Sequence, residues 1–393
     1  MDCYYRPTVA EISLDALDHN IGAFRRLLAP GTKLLASVKA NAYGHGAAEI
    51  ARRAVESGVD YLGVAFLDEA LQLREAGISA PILVLGYTPP SGYSKAREQD
   101  ITLTLYRQEM LDAAEHLPAS GVKLKIHVKI DSGMGRLGLP PGREAEAFLE
   151  RAFALSQVKV EGLYTHFARA DEKDKAYSMM QVERFSAVTE YARRAGMPVA
   201  VVHTGNSAAG IDLPEHTGAM LRLGISMYGL YPSEEVNKEA VSLKPVLSLK
   251  TSLVHVKELA AGEGISYGTR YFTRGRETIG TLPIGYADGF SRMLSGKAEA
   301  LVRGRRVSVV GTICMDQCMV RLDDAFEPGE PPFEPGEEAV LIGRQGDQTI
   351  TAEEVADKLG TIPYELVCML AARVPRVYLS GGSVAAAVNP LLG

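Results

Sequence analysis

The stretch Ala36-Ser-Val-Lys39-Ala-Asn-Ala-Tyr43-Gly-His-Gly46 puts a lysine where an apolar run meets solvent. Lys33–Val38 reads as a buried strand, and a turn flanked by glycines then opens a helix. A lysine at the rim of an apolar core releases its proton more easily than a surface lysine, because desolvation disfavours the ammonium. Such an amine is a base, and it condenses with an aldehyde to a Schiff base. A lone lysine at a strand end would simply snorkel. Here other reactive side chains stand at comparable points: Lys129 and Asp131 after one apolar run, His166 after a second, His203 to Ser207 after a third, Arg222 in a fourth. Gly205-Asn206-Ser207 and Gly224-Ile225-Ser226 add backbone N–H groups that a phosphate can approach closely. A lysine that captures aldehydes beside a phosphate cradle points to pyridoxal 5′-phosphate as the cofactor.

These side chains need a scaffold that brings many strand ends to one rim. Candidate strands are Lys33–Val38, Tyr61–Ala65, Ile82–Leu85, Ile101–Leu105, Leu124–Ile130, Val160–Thr165, Ala200–His203 and Ala219–Leu223. Helical periodicity lies between them, as in Leu67, Ala70, Leu71 and Arg74, or Phe148, Ala152 and Leu155. Eight strands alternating with helices are what a (β/α)8 TIM-like barrel requires, and such barrels carry their sites at the carboxyl ends of the strands. A doubly wound open sheet shares the alternation; the count of eight favours the barrel. Near Val241 the pattern changes. Val246–Val256, Thr278–Pro283, Ala300–Val310 and Ala339–Ile342 show β-rich alternation, punctuated by Gly, Pro and the acidic loop Glu327–Glu337. Thr351-Ala-Glu-Glu354 has the form of a capping box opening one helix. Residues 1–240 are therefore expected to form the barrel and 241–393 a mostly β C-terminal domain.

Composition narrows the function classes. The net charge of −6 gives no general attraction to nucleic acid or to an anionic membrane. No apolar run approaches the roughly 20 residues that span a bilayer. Met1–Leu14 is broken by Asp2, Arg6, Pro7 and Glu11, unlike an export signal. The four cysteines, Cys3, Cys314, Cys318 and Cys368, fit a reducing compartment, so a cytoplasmic protein is expected. Cys314 and Cys318 have no companion His or Cys cluster, so no metal site is expected.

With these residues assembled, the chain resembles the alanine racemases. Lys39-Ala-Asn-Ala-Tyr43-Gly-His-Gly46 is similar to their cofactor-lysine motif. Further motifs follow in the family's order: Lys129-Ile-Asp-Ser-Gly-Met-Gly-Arg136, Gly162-Leu-Tyr-Thr-His166, Asn206-Ser207, Arg222-Leu-Gly-Ile225, Gly264-Ile-Ser-Tyr267, Gly285-Tyr-Ala-Asp288 and Cys314-Met-Asp316. The resemblance implies interconversion of L- and D-alanine by a pyridoxal-phosphate-dependent homodimer, each site completed by the partner's β domain. Racemisation needs two bases flanking the α-carbon. Lys39 is implied for one face and Tyr267 of the partner subunit for the other. His166 and Arg222 match the groups that ease loss of the phenolic proton, and His203 matches a further link. Arg222 is also implied as donor to the pyridine nitrogen. A guanidinium has no acceptor lone pair, so that nitrogen stays unprotonated, which favours proton transfer over transamination.

The resemblance further implies Arg136 as the partner of the substrate carboxylate, a planar pairing suited to a guanidinium fork. It implies carbamylation of Lys129, which would turn one of two neighbouring cations into an anion that steadies Arg136. Tyr43, Asn206, Ser207, Gly224, Ile225 and Tyr364 match cofactor contacts, mostly to the phosphate, and Met315 and Asp316 match the carboxylate end of the substrate. Two positions depart from the pattern. Thr312 stands where some relatives carry an arginine, and Arg169 stands where a small residue is common; both belong to the entrance. Rival readings are a barrel-type decarboxylase, disfavoured because it would set an acid in place of Arg222, and a non-catalytic pyridoxal-phosphate-binding barrel, disfavoured by the domain carrying Tyr267. A periplasmic broad-specificity racemase would bring an export signal. Supply of D-alanine as a peptidoglycan precursor and alanine catabolism both remain open.

Overall fold

A computed structural model describes residues 4–119 and 121–392, so Cys3 lies outside the described residues. The chain forms two compact units, one of Ala16–Ala42 with Gly46–Lys244, the other of the residues through Asp15, Tyr43–His45 and the chain from Pro245.

The first unit is the barrel. Its strands are Lys33–Ser37, Tyr61–Val64, Ile82–Val84, Ile101–Leu105, Leu124–Lys129, Val158–Tyr164, Val201–His203 and Met220–Leu223, each parallel to its neighbour in chain order. The eighth pairs with the first, Leu221 opposite Leu34. The remaining seam is drawn together by Ala219 N–H donating to Val202 O at 2.7 Å and a bridge between His203 and Gly218. An open doubly wound sheet would leave its first and last strands apart, so the near-closed ring decides for the barrel.

Helices cover the outside through apolar stripes. Leu67–Glu75 buries Leu67, Ala70 and Leu73, and Arg143–Ala154 buries Ala145, Phe148, Leu149 and Ala152. Inside the ring, Leu35, Leu83, Val201 and Met220, from strands that are mostly not neighbours, pack together with Tyr61 and Leu85 against them. Side chains two residues further along share that face. There the filling turns polar: His203 follows Val201, Arg222 follows Met220, and both are buried. An apolar layer thus supports a polar one at the carboxyl ends.

The second unit is mostly β. Its main sheet runs in the order His255–Leu259, Glu277–Leu282, Cys318–Arg321, Arg305–Val310, Glu299–Val302, Glu338–Gln345, Leu247–Ser252, Val9–Ser13, Arg376–Ser380 and Ser383–Val388. One expectation needs correction, and two β-rich runs each divide into two strands. Val9–Ser13, counted above within the barrel, is a strand of this sheet, antiparallel to Leu247–Ser252 and parallel to Arg376–Ser380. Val246–Val256 is two strands, Leu247–Ser252 and His255–Leu259. Ala300–Val310 is a hairpin turning at Arg303 and Gly304, both at positive φ as a tight primed turn requires. Thr351 does cap a helix, Ala352–Leu359, its hydroxyl accepting from Glu354 N–H, and a second helix, Pro363–Cys368, follows it.

Candidate active site

Lys39 leaves the first barrel strand half-buried, at the start of a backbone feature the sequence does not advertise. Ala40, Asn41, Ala42 and Tyr43 all have φ of 52–53°, one turn of left-handed helix built from residues with a Cβ. Each such residue costs roughly 1–2 kcal/mol relative to the right-handed form. The turn is tied down by Ala42 N–H to Val38 O at 2.8 Å, Gly46 N–H to Asn41 O at 2.9 Å and Ala47 N–H to Asn41 Oδ1 at 2.8 Å. Strain of this kind persists where the surroundings over-determine the backbone, and it gathers at functional sites. Here it fixes the path of the chain directly after the lysine.

At the polar layer of the barrel, Arg222 is the hub. Its Nη1 donates to His203 Nδ1 at 2.9 Å. Its Nη2 lies 2.9 Å from His166 Nδ1 and from Thr165 O, and 2.8 Å from Thr204 O. Nε takes part in none of these bonds. Burial, the largest influence, lowers the Arg222 guanidinium to about 10, so it stays a cation at neutral pH. Burial, and after it the charge of Arg222, hold both His166 and His203 well below the usual imidazole range. Both rings are therefore neutral acceptors for the arginine. Tyr164 stacks on His203 with centroids 4.6 Å apart and planes 5° apart. Its hydroxyl meets Thr104 Oγ1 at 2.9 Å, and burial pushes its phenol up to about 12.

Lys129 is 4% exposed, and its Nζ has no hydrogen-bond partner among the described residues. It lies over the Tyr164 ring, 4.6 Å from the centroid. Burial, then Arg222 and Arg136, drive its pKa well below the ordinary lysine value, against a smaller opposite pull from Asp131. The lowered pKa makes this amine more nucleophilic than that of a surface lysine. Asp131 organises the loop beyond it: Oδ1 accepts from the N–H groups of Gly133, Met134 and Gly135, and Oδ2 from that of Arg136. Burial would raise Asp131, but these four donors outweigh it and keep the carboxylate ionised. Arg136 itself is exposed at the loop's end.

The segments expected to meet a phosphate lie together in the barrel unit. Ser207 Oγ accepts from Gly224 N–H at 2.9 Å, Asn206 caps the helix Ser207–Asp212 by accepting from Ala209 N–H, and Ile225 begins a short 3₁₀ turn. In the β unit, the rings of Tyr43 and Tyr364 lie 6.4 Å apart. Asp316 is paired with Arg373 at 2.6 Å, Met315 is exposed, and Tyr267 is 72% exposed. Among the described residues, direct bonds join His166, Arg222 and His203, and charge effects from Lys39, Lys129 and Arg136 reach His166. Tyr164 and His127 escaped the reading of the sequence. The signal was there: Tyr164 is two before His166 and His127 two before Lys129, hence on the same strand face.

The fold and this rim define a barrel enzyme with a lysine after its first strand and, on its last strand, a buried guanidinium held by neutral histidines. The family model described as "Alanine racemase, N-terminal domain" matches residues 12–232, and "Alanine racemase, C-terminal domain" matches residues 246–378. An alanine racemase of Halalkalibacterium halodurans is 45% identical over 395 residues, 100% of each chain. Alanine racemase 2 of Caldanaerobacter subterraneus is 44% identical over 380 residues, 96% of each chain. The crystal structure of alanine racemase from Bacillus anthracis with bound L-Ala-P superposes with a TM-score of 0.92 at 42% identity, covering 99% of both chains. The chain belongs to the alanine racemase family, and so to the isomerases.

Proposed function

We propose that this chain interconverts L- and D-alanine with pyridoxal 5′-phosphate as cofactor. The observation that carries the reading is the arginine held by two neutral histidines at the same rim as Lys39. The residues present suit the cofactor. Ser207, Gly224 and Ile225 would hold the phosphate, Asn206 would flank it, Lys39 would hold the aldehyde carbon, and Arg222 would offer Nε–H to the ring nitrogen. Bound there, the cofactor supplies an electron sink that makes the α-proton of an amino acid acidic.

This chain's own residues do the remainder. The Lys39 amine takes or returns the proton on one face of the α-carbon. The phenol of Tyr267 from the partner subunit serves the opposite face, with the chain a homodimer whose sites are shared. His166, its Nδ1 committed to Arg222, presents Nε2–H as a donor to that phenolic oxygen. Arg136 pairs with the substrate carboxylate, and Met315 and Asp316 line that end. Lys129, its pKa lowered by burial, adds through Nζ to the carbon of carbon dioxide and releases one proton, and the resulting carbamate anion steadies Arg136. No helix among the described residues is long and apolar enough to cross a membrane.

The purified protein should show cofactor absorbance that borohydride fixes covalently, and L-alanine should give D-alanine. Lys39→Ala should lose both the covalent fixation and racemisation in each direction. Fixation at a different lysine, or racemisation without Lys39, would overturn the reading.

A further inference from the structure

The hydrogen-bonded chain at the heart of the barrel continues beyond His203. His127 Nδ1 lies 2.9 Å from His203 Nε2, the rings 5.1 Å apart and inclined at 66°, and both side chains are fully buried. The proton positions follow from one fixed point. A guanidinium only donates, so His203 Nδ1 must present a lone pair to Arg222. His203 is neutral, so its single proton sits on Nε2 and is aimed at His127 Nδ1. His127, also neutral with a pKa lowered to about 3 by burial and then Arg222, must carry its proton on Nε2. That N–H has no acceptor among the described residues. An unmade buried donor costs about 1–3 kcal/mol. The His203 ring is thus held at both ends, Nδ1 accepting from Arg222 and Nε2–H donating to His127.

The backbone has made room for this contact. The ladder between Leu124–Lys129 and Val158–Tyr164 slips between Ile126 and His127, with Ile126 opposite Val160 but His127 opposite Gly162. The bulge falls at Glu161. A Cβ on Gly162 would stand 2.4 Å from His127 Nδ1, the atom that accepts from His203. Glycine leaves that atom its space.

We propose that His127 is a positioning residue for the reaction: by accepting the Nε2 proton of His203 it fixes that ring's tautomer and keeps the Nδ1 lone pair on Arg222. The guanidinium is then held with Nε uncommitted and with Nη2 anchoring His166. Only the step from a held guanidinium to turnover rests on the function proposed above; the tautomers belong to the chain itself.

The test compares His127→Leu, which removes the acceptor, with His127→Asn, whose Oδ1 occupies the place of the imidazole Nδ1. Nitrogen-15 NMR of the holoenzyme labelled at its eight histidines reads which ring nitrogen of His203 bears the proton, the resonances assigned by difference from a His203 variant. The wild type and His127→Asn should show the Nε2–H tautomer, and His127→Leu should show Nδ1–H or a mixture. In His127→Leu the kcat for alanine should fall by about tenfold or more with KM within about threefold, the loss expected of one unmade buried bond. His127→Asn should recover most of it. An Nδ1–H tautomer for His203 in the wild type, or an unchanged Nε2–H tautomer in His127→Leu, would overturn the proposal. So would equal kinetic losses in both variants. The NMR result stands independently of turnover, so a failure of the proposed function would be seen separately.

Discussion

His166 and Arg222 show how one residue can set the chemistry of another without touching substrate. Arg222 donates from Nη2 to His166 Nδ1, which leaves that ring one proton, on Nε2, and burial with the nearby cation keeps it neutral. A neutral donor can stabilise a phenolate without transferring a full charge to it. An ordinary phenol holds its proton up to about pH 10, so a tyrosine base needs such a partner near neutrality. Tyr267→Phe should therefore bind the cofactor normally yet lose solvent-deuterium exchange at the α-carbon of one enantiomer by orders of magnitude. Lys39 would continue to exchange the other. Equal losses for L- and D-alanine, followed by NMR in deuterium oxide, would speak for a single base or for a purely structural tyrosine.

At the scale of elements, the strands were readable because each of the eight is a short segment of closely spaced apolar residues, continuous at Ile82–Val84 and alternating at Ile101–Leu105. The reactive side chains were readable because they stand at the ends of those runs. Less visible were features that depend on distant partners. Val9–Ser13 looks like any short strand, and only its ladders to Leu247–Ser252 and Arg376–Ser380 place it in the β unit. The left-handed turn at Ala40–Tyr43 contradicts the local preference of alanine and is enforced from outside the stretch. The loop Cys314–Met315 is a third such case. Its carbonyls accept from Tyr286 N–H at 3.1 Å and Ala287 N–H at 3.0 Å, and the Cβ of an alanine at 285 would lie 2.2 Å from Cys314 O and 2.4 Å from Met315 O. The φ of Gly285 suits any residue, so contact alone demands glycine there. Gly285→Ala should push the Met315–Asp316 segment away, raising KM for alanine several-fold, and should cost about 1–3 kcal/mol of stability as overpacking does. Unchanged KM and unchanged urea midpoint would show that the loop yields freely.

Across the whole molecule the buried histidines couple catalysis to stability. His127, His166 and His203 all have pKa values depressed by burial, with Arg222 next. The unfolded chain takes up protons on them below about pH 6.5 while the folded barrel does not, so stability is full above that pH and declines as pH falls, by up to about 1.4 kcal/mol per pH unit for each. Urea midpoints should be level from pH 8 to 7 and drop steadily from 6.5 to 5; a flat profile to pH 5 would mean the rings protonate in place. Assembly is the second whole-molecule question. Lys39 belongs to the barrel unit and Tyr267 to the β unit, where the tyrosine is 72% exposed, available to a neighbouring chain. If each site takes its lysine from one chain and its tyrosine from the other, two inactive variants can complement. A heterodimer of Lys39→Ala with Tyr267→Ala then holds one site with both residues intact and one with both lost. After subunit exchange, verified by a mass tag on one chain, activity per heterodimer should return to about half that of the wild type, since independent sites contribute equally. If exchange is complete and activity stays at the level of the separate variants, Tyr267 serves its own chain's lysine or none.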